Sequence, residues 1–253
     1  MTSRPFRTAA AYYLRYRPGY PAELVTRLAE AAGVDRRSRV IDLGCGPGSL
    51  AKPLATHAAE VVAVDVEPEM LAELTRAAPP NVTAVEARAE DVEESWGTFQ
   101  LATIGRALHW FDAPLVLANL ARITPTVALC SDNIPQSEVQ SFALALANEL
   151  IDEPPIERPK FRYAGILPAS PFSDVETISV EVDRSWTADE LIGFVYSTAI
   201  ASPERLGDRR TELERRIREH LDGPRHERVR VDAVIGRRPG VESARAGSPG
   251  SRG

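Results

Sequence analysis

The sequence predicts an α/β fold, a doubly wound seven-stranded sheet that is mostly parallel with one antiparallel strand near the C-terminus. Three observations point there. Short β-branched runs alternate with amphipathic helical stretches, the pattern of βαβ units. A glycine-rich turn joins the first of these runs to the helix that follows it. After Asp132 the alternation gives way to two runs with period-2 patterning, as strands near a sheet edge have. At 253 residues the chain is long enough to bury a sizeable core in one domain.

The strands read from the sequence are Val40-Ile41-Asp42-Leu43, Val61 to Val66, Val82 to Glu86, Leu101 to Ile104 and Val127 to Ser131. Their nearly unbroken apolar character suits burial on both faces. Helices are expected over Gly48 to Ala58, Pro68 to Ala78 and Pro114 to Ile123, the last with proline in a tolerated first turn. Ser137 to Ile151 reads as a helix, and the proline-rich stretch from Pro154 to Pro171 as loop. Val175 to Val182 and Val229 to Ile235 are the last two strands, able to pair antiparallel. Between them, Thr187 to Ala201 is a helix with Thr187 as N-cap and Glu190 completing a capping box. Pro203 to Leu221 reads as a single charged helix laced with Arg/Glu pairs.

Composition narrows the function. Lys+Arg number 30 and Asp+Glu 36, a net charge of −6. No broad positive field is available for nucleic acid or anionic lipid, so a small-molecule substrate is expected. Cys45 and Cys130 lie in apolar runs without metal-ligand spacing, so neither a disulfide framework nor a metal site is expected. The start MTSRPFRTAAAYY lacks an apolar leader core and no stretch reaches membrane-spanning length, which reads as cytoplasmic.

The segment VIDLGCGPG, Val40 to Gly48, carries most of the functional argument. Gly44 and Gly46 permit a tight turn with positive φ and let a ligand approach the backbone, while Gly48 lets the next helix start close to the sheet. Asp65 follows at the end of the second strand, where doubly wound folds place an acid that accepts from a ribose diol. Glu67 stands nearby to share that role. The spacing is G-x-G-x-G, whereas dinucleotide sites favour G-x-G-x-x-G with a phosphate on the helix N-terminus. Asp42 precedes the turn. A carboxylate there opposes a phosphate but suits an ammonium, and S-adenosylmethionine carries an ammonium, a sulfonium and no phosphate.

At these residues the chain resembles the class I S-adenosylmethionine-dependent methyltransferases, the "type 11" group, with their Rossmann-like fold. VIDLGCGPG is similar to the first motif of that group, VVAVDVEPEML (which contains Val66 and Met70) to its second, and ARAEDV to its third. The third motif implies an adenine site at Ala89 and Glu90. IGRALHWF, with Gly105, Arg106, His109 and Trp110, and the N-terminal YYLRYRPGYP resemble a trans-aconitate-methyltransferase-like subset. That likeness implies that Tyr16 and Arg17 lie over the methionine end of the cofactor, the guanidinium pairing its carboxylate. The expected organisation is a helical lid at 1–35, an S-adenosylmethionine-binding core at 36–132, and substrate-selecting helices with the last two strands at 133–238, while the Gly/Ser/Arg/Pro-rich composition of 239–253 reads as a disordered tail. The chain departs from the group before the fifth strand, where Arg122-Ile123-Thr124-Pro125-Thr126 replaces a Gly-Gly turn.

The cofactor-binding set is therefore Tyr16, Arg17, Asp42, Gly44, Cys45, Gly46, Asp65, Val66, Met70, Ala89, Glu90, Gly105 and Arg106. Methyl transfer from a sulfonium is an in-line displacement that needs positioning and water exclusion rather than a nucleophilic side chain. A base is required only if the acceptor must lose a proton. His109 is the candidate base, against the reading that it packs beside Trp110. Tyr12, Tyr13, His109, Trp110, Trp186 and Tyr196 are the candidate acceptor-site residues. The expected reaction is methyl transfer to O, N or C of a small metabolite by a monomer or homodimer. A non-catalytic or repurposed S-adenosylmethionine-binding protein and an NAD-dependent oxidoreductase are the competing readings. The second competitor lacks a hydride-transfer set.

Overall fold

The computed structural model describes residues 10–131, 137–151 and 163–240. Its seven strands are β1 (Arg39–Leu43), β2 (Glu60–Asp65), β3 (Val82–Glu86), β4 (Leu101–Gly105), β5 (Thr126–Ser131), β6 (Asp174–Trp186) and β7 (Arg225–Arg237). They form one sheet in the order β3-β2-β1-β4-β5-β7-β6. All neighbours pair parallel except at β7, which runs antiparallel to both β5 and β6. One antiparallel strand in an otherwise parallel sheet is the architecture expected from the sequence. The order reverses between β1 and β4, and the crevice at their carboxyl ends is where such sheets hold ligands.

The α-helices among the described residues are α1 (Ala10–Tyr16), α2 (Ala22–Ala31), α3 (Ala51–Leu54), α4 (Pro68–Arg76), α5 (Ala113–Ile123), α6 (Glu138–Leu150), α7 (Tyr163–Ile166), α8 (Ala188–Tyr196), α9 (Pro203–Leu206) and α10 (Arg210–His220), with short 3-10 turns between them. Alternate strand residues feed two cores. Val40, Val61, Ala63 and Leu101 pack under α2, α3 and α4, while Ile41, Leu43, Val62 and Ile104 pack against α5. A third cluster joins α6, α8 and α10 around Trp186 and Phe194, with Tyr12 of α1 against it.

Several element boundaries differ from the sequence reading, each for a local reason. The helix expected from Gly48 to Ala58 shrinks to α3, because Pro53 donates no N–H to the helical ladder. The helix after Thr187 has the expected capping box but stops at Tyr196. There the hydroxyls of Ser197 and Thr198 donate back to the carbonyls of Phe194 and Val195. Pro203 to Leu221 is not one helix: Gly207, at φ 51°, separates α9 from the turn leading into α10. Within the stretch read as loop, Tyr163–Ile166 is a helical turn. The rest of that stretch before Tyr163, residues 1–9 of the lid and the tail beyond 240 lie outside the described residues. The Gly-Gly turn missing before β5 is replaced by Thr124, whose hydroxyl donates to the Thr126 carbonyl and accepts from its N–H.

Both final strands are longer than expected, thirteen residues each. β5 ends opposite Asp232, yet β6 and β7 stay paired to Trp186 and Arg225. The ribbon thus overshoots the carboxyl edge of the sheet by seven residues, roughly 24 Å at ~3.4 Å per residue. On it sits the α6–α8–α10 cap. Of the N-terminal helices, α2 packs on the sheet through Leu24, Val25 and Leu28, while α1 packs on the cap through Tyr12.

The docking of α1 on the cap is specific. A β-carbon added to Gly193 of α8 would lie 2.2 Å from the Tyr16 ring, and Tyr12 sets its ring edge against Tyr196 at 5.3 Å. Gly193→Ala should therefore displace α1, costing about 1–3 kcal/mol through overpacking. Thermal denaturation and hydrogen exchange over residues 10–17 check this. Unchanged exchange there would mean that α1 does not depend on the Tyr16–Gly193 contact.

Candidate functional site

At the carboxyl ends of β1, β2 and β4 lies a cavity of ≈ 410 Å³, a size that suits a small-molecule ligand. Its floor is the glycine turn. Gly44 and Gly46 take φ values of 63° and 54°, in the left-handed region expected. Their reasons differ. A β-carbon at Gly44 would lie 2.4 Å from that of Ala107, whereas nothing lies within 4 Å of one at Gly46, which faces open space. Asp65 braces the turn, accepting from the N–H of Gly46 at 2.7 Å and from that of Glu67 at 3.0 Å. Burial raises its carboxyl above the usual range against the pull of those bonds. Two bonds leave a carboxylate with further acceptor capacity for a diol.

Of the residues read from the sequence, Tyr13, Gly44, Gly46, Asp65, Val66, Met70, Ala89, Gly105, Arg106 and Trp110 line this one cavity. A smaller recess shares Tyr13, Gly44, Gly105 and Arg106 with it and is completed by Tyr20, Asp42, Cys45, Ser49 and Leu50. Asp42 is buried beneath the turn, accepting from the Thr103 hydroxyl at 2.7 Å on the neighbouring strand. Burial pushes its carboxyl up to about 7, partly offset by that hydrogen bond. Burial likewise pushes the Cys45 thiol up, so it is no nucleophile at neutral pH.

Other expected residues sit elsewhere. Glu90 uses one carboxylate oxygen to accept from the Asp112 N–H and the other to pair with Arg88. Its carboxylate thereby steadies the start of α5. His109 lies against Trp110, ring centroids 5.0 Å apart, and does not line the cavity. Tyr12, Tyr16 and Tyr196 join α1 to the cap, and the Tyr196 hydroxyl donates to Glu214 at 2.8 Å. Trp186 donates its indole N–H to Glu227 at 2.7 Å, near the far end of the ribbon. The length of that ribbon carries Trp186 away from the sheet edge. Arg17 lies over the rings of Tyr13 and Phe194, at 5.5 and 5.3 Å.

Three lining residues were not singled out as site residues: Ala87, Ala107 and Phe111. Glu67 also lines the cavity, beside Asp65 as the sequence suggested. Ala107 had a readable signal, because a glycine turn folded against a strand end requires something small opposite Gly44.

The site fits a cofactor with an amino-acid end. Nε and Nη1 of Arg17 and Oδ2 of Asp42 are buried without hydrogen-bond partners among the described residues. A cation and an acid are thus available near the cavity for a carboxylate and an ammonium. Residues 40–126 match the family described as "Methyltransferase domain". The sheet order and the glycine turn agree with this match. In these features the chain is similar to the class I S-adenosylmethionine-dependent methyltransferases.

The similarity to this family extends to named relatives. An uncharacterised methyltransferase of Mycobacterium tuberculosis is 36% identical over 121 residues, 48% of each chain. A trans-aconitate 2-methyltransferase of the same species is 39% identical over 98 residues, 38% of this chain and 34% of that one. A solved structure from Anaeromyxobacter dehalogenans, assigned as a type II methyltransferase, is 25% identical, with a TM-score of 0.61. It covers 88% of this chain and 98% of that one. The chain spans about half the length of the first of these curated relatives. No helix among the described residues is long and apolar enough to cross a membrane.

Proposed function

We propose that the protein binds S-adenosylmethionine in this cavity and transfers its methyl group to O, N or C of a small metabolite. The observation that carries the reading is the cavity itself, where a glycine turn, a bracing acid and an aromatic wall converge at the sheet's switch point. When bound, the cofactor supplies a methyl group already activated by a sulfonium. Asp65 accepts from the ribose hydroxyls, and Val66, Met70 and Ala89 flank the adenine. Arg17 pairs the carboxylate while Asp42 sits on the side of the ammonium. Tyr13, Trp110 and Phe111 keep water from the reacting carbon, and their rings suit a cationic centre.

The acceptor enters beneath the cap, where the chain contributes shape rather than a nucleophile. A small, carboxylated or aromatic acceptor suits two arginines and three aromatic side chains near one cavity. The net charge of −6 disfavours nucleic acid. A cytoplasmic monomer or homodimer completes the reading. If a proton must leave the acceptor, His109, beside the lining residue Trp110, is the base read from the sequence.

Calorimetric titration with S-adenosylhomocysteine and, separately, NADH tests the cofactor. One-to-one binding of the former alone is expected, and binding of NADH alone would overturn the proposal. Asp65→Ala should weaken S-adenosylhomocysteine by about 1.5–3 kcal/mol, the worth of hydrogen bonds to a charged group. Unchanged affinity in a folded variant would remove Asp65 from the ribose site.

A further inference from the structure

We propose that Arg106 is a positioning residue that latches α1 over the cavity and thereby sets how fast the cofactor leaves; this rests on the cofactor reading above. Among the described residues Arg106 is the one non-glycine with a left-handed backbone, at φ 58°. A β-carbon crowds the carbonyl in that conformation, so it persists only where neighbouring contacts hold it. Those contacts are identifiable. The Arg106 N–H donates to the Cys130 carbonyl at the end of β5, 3.1 Å away. The same carbonyl accepts from the Tyr20 hydroxyl at 3.3 Å.

From this fixed backbone the side chain reaches the N-terminal segment three times. Nη1 donates to the Pro18 carbonyl at 3.0 Å, and the guanidinium lies over the rings of Tyr20 and Tyr13 at 4.7 and 5.6 Å. Pro18 and Tyr20 belong to the connection between α1 and α2, and Tyr13 is the α1 residue that lines the cavity. One guanidinium therefore spans both the hinge and the covering side chain. The attachment of α1 to the cap, through Tyr12, Tyr16 and Arg17, is separate. Lifting Tyr13 off the cavity means breaking its contact with Arg106, a residue that lines the same cavity.

Stopped-flow release of S-adenosylhomocysteine tests this in Arg106→Lys, which keeps the charge without the planar stack, and in Arg106→Gly, which is at ease at φ 58° and so guards against misfolding. Both should release the ligand about tenfold faster, because lysine loses the planar fork that stacks on the rings while bonding the Pro18 carbonyl and glycine loses the cation altogether. Hydrogen exchange should quicken over residues 10–20 while β1 to β5 stay protected. Tyr13→Leu should speed release similarly, and the double variant Arg106→Lys, Tyr13→Leu should be no faster than either single one. A purely structural role would lower the melting temperature without that coupling. Unchanged release in both Arg106 variants, or full additivity in the double variant, would overturn the latch. Failure of the unaltered chain to bind S-adenosylhomocysteine would overturn the cofactor reading, and the latch with it.

Discussion

Gly46→Val should weaken S-adenosylhomocysteine binding by about 100-fold while leaving the protein folded. The argument rests on a contrast within one turn. At Gly44 a β-carbon would strike Ala107, so substitution there disturbs the packing of the turn on the strand end. At Gly46 a β-carbon meets nothing within 4 Å, and the residue lines the cavity. The branched side chain therefore extends into space the ligand needs. Overlap of that kind costs ~2–3 kcal/mol, and 1.4 kcal/mol is a factor of ten in affinity. The backbone at φ 54° adds a penalty of roughly 1–2 kcal/mol to folding. A modest fall in melting temperature should accompany the loss of binding. Calorimetry on the folded variant decides it, and retained affinity would mean that the ligand does not approach the turn at Gly46.

The same turn is legible in the sequence. Glycine at positive φ is a backbone requirement, so the spacing of Gly44 and Gly46 reads directly, and both take a positive φ, as does Gly48, read only for close packing of the next helix. Asp65 reads equally well, because the end of a buried strand is a poor place for an acid without a partner. The wall of the cavity is different. Tyr13 and Trp110 entered the reading through resemblance, and Ala87, Ala107 and Phe111 not as site residues at all, since small and apolar side chains carry no chemical signature. Trp186 and Tyr196 show the opposite failure. Large aromatics in the C-terminal half looked available for an acceptor, but pairing between β6 and β7 extends through charged residues such as Arg225 and Arg228 that mask the strand in the sequence. That extension carries Trp186 to Glu227, while Tyr196 turns to Glu214. Pro53 interrupts the hydrogen-bond ladder of the first expected helix and Gly207 divides the last charged one, local backbone chemistry overruling pattern.

Asp42→Asn should stabilise the ligand-free protein at neutral pH and flatten its dependence on pH. The folded protein holds the Asp42 carboxyl at about 7, against 3.8 in a free chain. Between those values the folded state keeps a proton that the unfolded state has released, so folding stability declines as pH rises from about 4 to 7. The difference of roughly three pH units corresponds to an order of 4 kcal/mol at pH 7. Asp65, also raised by burial, acts in the same direction. Asparagine keeps an acceptor for the Thr103 hydroxyl and has no charge to desolvate, so its melting temperature should exceed that of the parent at pH 7.5 and converge with it near pH 4. A melting temperature that falls equally with pH in both proteins would place the titration elsewhere. The ionised acid that weakens the empty fold is the group proposed to meet the cofactor's ammonium. Asp42→Asn should therefore bind S-adenosylhomocysteine more weakly while melting higher, and a variant that gained on both counts would leave Asp42 without a role in the site.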